Sequence, residues 1–364
     1  MAEPKISVLI PMYNRKHYIS DAVDSVLRQT FQDFEIIIRD NCSTDGSFEF
    51  VQEKYAAEIS SGKIKLARNL ENLGEFGNVK ACFLNSSGKY IQILHSDDFL
   101  MPYGLQHMYE TAEKFNADVV HSVAHFTTEE DGIIKEPLLQ EVHDVNARNQ
   151  IEIMPDDQKI RFILWRQTDV NSQYNLYSRK FIFENDIFQQ FSHKYISLSF
   201  FSLWWVMLAK VFVKTPVIYY LWRKSPSSSS YQELDNAQHA AWYISFKMEL
   251  SRLIDELIPK VEIFRDNEEI RRYLRTSLFF DDDGWQIFRR GIYKNGISPE
   301  LYEAVENSFK KYFGDDACYP AFLFNLFHAL QCGHNINQIM FQRALESITP
   351  PRFRNKSYLI LEAA

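Results

Sequence analysis

Cysteine is scarce in this chain. Four residues, Cys42, Cys82, Cys318 and Cys332, are spread over 364 positions with no CxxC pair. That spacing supports neither a zinc site nor a disulfide framework, and it fits a reducing, cytoplasmic compartment. An excess of positive charge is lacking too. The net charge of −8 argues against nucleic acid as the main partner, because phosphate backbones are held by clustered lysine and arginine. The amino-terminal MAEPKISVLI has no charged region followed by a long apolar stretch, so no signal peptide is expected. The most apolar segment, Tyr195 to Trp222, is interrupted by Lys210, Lys214 and Pro216. It falls short of a membrane span and reads as a buried helix followed by a buried strand. Peripheral contact at the inner face of a membrane is the lesser alternative.

What the chain does have is aromatic bulk and an orderly alternation. Aromatic residues make up 15% of it, with 29 Phe and 19 Tyr, which favours dense packing or stacking on rings such as bases and sugars. Through the first 120 residues, apolar runs alternate with amphipathic stretches. KISVLIP, FEIIIRD, KIKLAR, KYIQIL and ADVVHSVAHF are the expected strands. Helices are expected over 16–28, 47–59, 75–84 and 102–115, the second capped by Ser43, Thr44 or Asp45. Strands alternating with helices predict an α/β fold, a doubly wound, mostly parallel sheet covered on both faces. The polar stretch 127–149 reads as a hairpin or loop plus a helix, and KSPSSSSY at 224–231 as a loop. Beyond it the pattern is helix-periodic. The expected division is therefore a sheet-containing α/β domain over 1–230 and a helical region over 231–364.

Ligands of open parallel sheets bind at the carboxyl ends of the strands. Those ends carry Pro11, Tyr13 and Asn14 after the first strand, and Asp40, Asn41 and Ser43 after the second. Asn69 to Gly74 follow the third, and His95, Ser96, Asp97 and Asp98 the fourth. None of the four carries GxGxxG or a P-loop, which argues against a dinucleotide or P-loop phosphate site. With no lysine or arginine crowding this rim, a bound diphosphate would need a metal. Asp97 and Asp98 offer the hard oxygen ligands that Mn²⁺ or Mg²⁺ prefers.

The stretches ISVLIPMYNRKHYISDAVDSVLRQTFQDFEIIIRDNCSTDGS and ENLGEFGNVKACFLNSSGKYIQILHSDDFLMP carry a resemblance. In order and placement they resemble a family 2 glycosyltransferase of the GT-A fold, closely over the first third of the chain and more loosely to about 230. The resemblance implies inverting transfer from a nucleoside-diphosphate sugar, with a UDP-sugar the leading donor. It makes Pro11, Tyr13 and Asn14 the base-binding turn and Asp40 the reader of the base through its ring N–H. Asn72, Gly74 and Asn78 become the segment closing beside the nucleotide. Asp97 and Asp98 become the acidic motif whose Mn²⁺ or Mg²⁺ bridges the diphosphate. The resemblance makes 1–230 the nucleotide-sugar-binding domain and leaves 231–364 for acceptor binding or an oligomer contact; the implied acceptor is a glycan, a lipid-linked sugar or a polypeptide.

Three departures qualify the match. The stretch DNCS stands where the family often has DDGS, leaving Asn41 to bond a ribose. His95 stands where the acidic motif usually begins with Asp, and could contact ribose or metal. Ile196-Ser197 fall where a catalytic carboxylate is expected, and no carboxylate lies between Asp186 and Glu233. His193 is the substitute base, since imidazole titrates near neutrality; Asp169, Glu184 and Asp186 are more remote candidates. Arg223 and Lys224 read equally as a diphosphate clamp or as surface charges, and the acidic run Asp281 to Asp283 as a solvated helix end. The missing carboxylate motivates a rival: a degenerate GT-A domain that binds nucleotide or glycan as a scaffold without transferring sugar.

Overall fold

The computed structural model describes residues 3–130, 133–134, 151–155, 172–186, 188 and 208–224, with the isolated Pro299 and Glu303. The chain divides into two compact units, Met1–Pro226 and Ser227–Ala364. The expected helical character of 231–364, the acidic run at 281–283, His193 and Asp169 all lie outside the described residues.

Strand β1 (Ile6–Met12) is the axis of the sheet, and β2 (Phe34–Asp40) pairs with it in parallel from Ile6↔Phe34 to Met12↔Asp40. On its other side β4 (Tyr90–Ile93) pairs in parallel up to Leu9↔Ile93, and β3 (Ile64–Arg68) pairs with β2 up to Asp40↔Arg68. These registers bring the carboxyl ends of four strands to one edge of the sheet. Cover on both faces explains the nearly continuous burial of β1 and β2. Ile6, Val8, Ile10 and Met12 share one core with α1 (Ile19–Leu27) and α5 (Gly104–Phe115). Leu9, Ile37 and Ile93 are buried outside that cluster, and α4 (Gly74–Leu84) packs on β1 and β2.

Helix α1 buries Ile19, Ala22, Val23 and Val26, the i, i+3, i+4, i+7 stripe. It starts three residues later than expected, because residues 14–16 are held in a turn described below. The single helix expected over 47–59 is two, α2 (Ser47–Lys54) and α3 (Ala56–Ser60). Between them Tyr55 leaves helical geometry at φ −112°, ψ 31°, buries its ring, and donates its hydroxyl to Asp24 at 2.7 Å.

The remaining strands are β5 (Phe99–Leu100), β6 (Val119–Glu130), β7 (Ile133–Ile134), β8 (Glu152–Ile153), β9 (Asn175–Ser178) and β10 (Phe212–Lys224). The order is β3-β2-β1-β4-β9-β6-β10-β5, with β7 on β6 and β8 on β10. Strand β9 runs antiparallel to both neighbours, β4 and β6. It leads into the short α6 (Arg179–Glu184), capped by the Ser178 hydroxyl. The strand expected in the latter part of the Tyr195–Trp222 segment is β10, and it carries an irregularity. Thr215 pairs with Ser122, yet the next pair is Tyr220 with Ala124. Pro216, with no N–H to donate, stands where the ladder breaks. After the break β10 also pairs with β5, through Tyr220↔Leu100 and Leu221↔Phe99.

Candidate donor and metal site

After β1 the chain turns through Asn14, whose φ of 52° is left-handed, a region Asn tolerates better than most side chains. Its N–H bonds Ser43 Oγ at 2.9 Å, and its Oδ1 accepts the Thr44 N–H at 2.8 Å. The Arg15 N–H bonds Ser47 Oγ at 2.9 Å and the Lys16 N–H bonds Asp45 Oδ2 at 3.1 Å. The first turn is thus fastened to the loop after β2, and Tyr13 is left 45% exposed at the rim. Pro11 is the penultimate residue of β1, paired with Arg39.

Asp40 is fully buried at the end of β2. Its carboxylate meets Arg68 Nε at 2.7 Å and accepts the Ser43 N–H at 3.2 Å. Arg68 also pairs with Glu49 at 3.0 Å and lies 4.3 Å from the Phe48 ring centroid. Sequence reasoning missed Arg68, although it ends KIKLAR and the register puts it beside Asp40. Asn41 is committed to holding the next loop. Its amide nitrogen donates to Asn72 Oδ1 at 2.9 Å, and its oxygen accepts from Leu73 N at 2.8 Å and Asn69 Nδ2 at 3.1 Å. Asn78, also buried, donates to the Arg39 carbonyl at 3.0 Å and accepts from Asn69 at 2.8 Å. Gly74 adopts φ 73°, where a Cβ would be strained, and opens α4. Asn41, Asn72, Gly74 and Asn78 are brought together as one network tying the ends of β2 and β3 to α4.

His95, Ser96, Asp97 and Asp98 follow β4. Ligand atoms of His95, Asp97 and Asp98 lie within 4.8 Å of one another. The two carboxylates differ. Asp98 is fully buried; it accepts a hydrogen bond from the Tyr220 hydroxyl and another from the Arg223 N–H at 2.9 Å. Burial first, and the neighbouring Asp97 charge second, push its carboxyl up to about 7. The Tyr220 oxygen in turn accepts the His95 N–H at 3.2 Å. Asp97 is 18% exposed and pairs with Arg15 Nε at 3.3 Å. A cation therefore does stand at this rim, contrary to the reading that no arginine crowds it. Ser96 is buried, and His95 Nε2 lies 4.0 Å from Glu75 Oε1. Arg223 is not a surface charge: its side chain is 3% exposed, paired with Asp21, and 4.9 Å from the Tyr18 ring centroid.

Glu184 and Asp186 are not brought to this cluster. Ser178 pairs with Tyr90 at the amino end of β4, and Arg179 at the start of α6 donates to Ser86. Phe183 stacks near Phe83, toward the end of α4, at 5.3 Å. Glu184 ends, and Asp186 follows, a helix docked at the edge of the sheet opposite His95–Asp98, because antiparallel β9 carries the chain away from the site. Glu184 itself is exposed beside Lys180.

Residues 7–185 match the sequence model of glycosyl transferase family 2. Among curated relatives, glycosyltransferase GlyG of Streptococcus pneumoniae is 32% identical over 128 residues, 35% of this chain and 41% of that protein. The poly(ribitol-phosphate) beta-N-acetylglucosaminyltransferase TarS of Staphylococcus aureus is 29% identical over 118 residues, 32% of this chain and 20% of that protein. The chain spans less than half the length of these curated relatives. Residues 1–349 of S. aureus TarS, solved with UDP-GlcNAc, superpose with a TM-score of 0.59 at 16% identity, over 94% of this chain and 92% of that one. The shared fold is the GT-A-like, mostly parallel sheet that the sequence led us to expect. Motifs at the four strand ends and the fold agree with the family match: residues 7–185, just under half of this chain, are similar to glycosyl transferase family 2.

Proposed function

We propose that the chain is a metal-dependent, inverting glycosyltransferase that takes a sugar from a nucleoside diphosphate, with a UDP-sugar as donor. The observation that carries the reading is the His95, Asp97, Asp98 cluster, with ligand atoms within 4.8 Å, on the same sheet edge as the buried Asp40–Arg68 pair. The donor set, one imidazole and two carboxylates, fits Mn²⁺ or Mg²⁺. Asp97 is the principal ligand, while Asp98 keeps a lone pair on each oxygen beyond its two hydrogen bonds. Bound there, the cation would neutralise charge developing on the departing diphosphate. Tyr13 offers an exposed ring against which a base stacks. Asp40 accepts the uracil N3–H once Arg68, 38% exposed, swings off it. TarS, solved with UDP-GlcNAc, makes that sugar the first donor to test.

The acceptor is a glycan, a lipid-linked sugar or a polypeptide, reached in the cytoplasm or at the inner face of a membrane. Among the described residues no helix is long and apolar enough to cross a membrane. With Glu184 and Asp186 at the far edge, His193 and Asp169 are the remaining base candidates. The same distance supports the second reading, a nucleotide-binding scaffold without transfer.

The deciding experiment is slow hydrolysis of a panel of nucleotide sugars with and without Mn²⁺. Metal-dependent hydrolysis of a UDP-sugar is expected; nucleotide binding with neither hydrolysis nor transfer to any acceptor would favour the scaffold. Within the same panel UDP should outcompete CDP, which has no N3–H, and Asp40→Ala should erase most of that preference.

A further inference from the structure

We infer that Arg15 is a built-in counter-cation for Asp97, which makes metal binding wait for the nucleotide diphosphate. The inference rests on the donor-site reading above. Arg15 Nε lies 3.3 Å from Asp97 Oδ2, with the two side chains 25% and 18% exposed. Among the described residues Arg15 is the cation paired with Asp97. The neighbouring Asp98 is held differently, by the neutral Tyr220 hydroxyl and the Arg223 backbone N–H. The Arg223 guanidinium is spent on Asp21. Among the described residues the charge of Asp97 is therefore balanced by Arg15, a partly exposed side chain.

The root of Arg15 is fixed by backbone hydrogen bonds, and its side chain is 25% exposed. Its N–H bonds Ser47 Oγ at 2.9 Å and its carbonyl accepts the Tyr18 and Ile19 N–H groups at 2.9 Å. Asn14, before it, is locked in left-handed geometry by Ser43 and Thr44. Among the described residues, the guanidinium makes one hydrogen bond beyond the Asp97 contact, to the Asn14 carbonyl at 3.2 Å. A dication arriving alone would share Asp97 with a guanidinium and meet like charge. A dication arriving with a diphosphate brings anionic oxygens that suit the guanidinium fork better than a single carboxylate oxygen does. Arg15 then turns to the phosphates, and Asp97 is released to the metal. Because linkage is reciprocal, metal tightens nucleotide by the same factor as nucleotide tightens metal.

The test measures free Mn²⁺ by electron paramagnetic resonance, with and without UDP, on the full chain. Wild type should bind Mn²⁺ weakly alone and about tenfold or more tightly with UDP, within the usual range of coupling between sites. Arg15→Met should bind Mn²⁺ alone about tenfold more tightly than wild type, and its gain on adding UDP should shrink by the same factor. Arg15→Lys should keep part of the coupling; Arg15→Gln gives the same readout should the Met variant fail to fold. Arg15→Met binding Mn²⁺ alone no tighter than wild type, while wild type binds both ligands, overturns the inference and leaves the donor site standing. Wild type binding neither UDP nor Mn²⁺ overturns both.

Discussion

Asp97 and Asp98 are adjacent in sequence and opposite in circumstance. Asp97 reaches a partly exposed arginine, whereas Asp98 turns inward to satisfy two donors of β10. Asp97→Asn should therefore abolish most metal-dependent UDP binding while leaving the thermal midpoint nearly unchanged, since a partly exposed ion pair contributes little to stability. Asp98→Ala strands the Tyr220 hydroxyl and the Arg223 N–H in a buried place. It should cost about 2–5 kcal/mol of folding stability, read by denaturant titration, besides weakening binding. Equal stability in the two variants would contradict this division of labour. The sequence announced the acidic pair and its place at a strand end. It could not announce which oxygen faces the core, because the donors that decide it lie more than 120 positions away. Arg15 was hidden for a related reason: it sits in a non-periodic turn, where nothing local says that its tip reaches across to Asp97. Arg68 was within reach: the strand-end reading of the third strand began one residue too late, at Asn69.

At the scale of elements, alternation of apolar runs and amphipathic stretches made β1 to β4 and the helices between them legible. The departures have tertiary causes. Tyr55 breaks a helix because its ring packs inward, and β10 skips register at a proline that a list of strand formers passes over. One tight approach also escaped notice. A Cβ on Gly88 would lie 2.5 Å from the Ser7 nitrogen and 2.7 Å from the Ile6 carbonyl carbon, so it would strike β1 backbone, which cannot yield. Gly88→Ala should destabilise the unit by about 1–3 kcal/mol, as overpacking usually does. The shift should appear in the denaturant midpoint with little change in slope. A neutral result would mean that β4 can slide on β1.

At the scale of the whole molecule, the sheet buries a histidine under neutral conditions. His121 on β6 meets Asn175 of β9 at 2.6 Å, and burial pulls its pKa from 6.5 down to about 4. Between those values the unfolded chain binds the proton and the folded chain does not. Its share of stability is thus complete above about pH 6.5 and shrinks as pH falls toward 4, by about 3 kcal/mol in all. Unfolding free energies of wild type and His121→Gln should therefore diverge with pH over this window, the variant keeping more of its stability in acid. Parallel pH profiles would show that His121 is not held neutral.

The placement of β9 carries one more consequence, and it concerns time. Strand β4 is complete by residue 93 and β6 by residue 130, yet the second edge of β4 and the facing edge of β6 stay open until residues 175–178 slot in between them. As the chain leaves the ribosome, β1, β2, β3 and β4 can pair as they emerge. The edges of β4 and β6 must wait unpaired for β9, and β6 waits longer still for β10 to cover its other side. Long-range pairing of this kind is slow, and waiting strand edges invite association with other chains. Nascent chains stalled before residue 175 should thus expose their β4 edge to chaperones, and chains released after residue 224 should not.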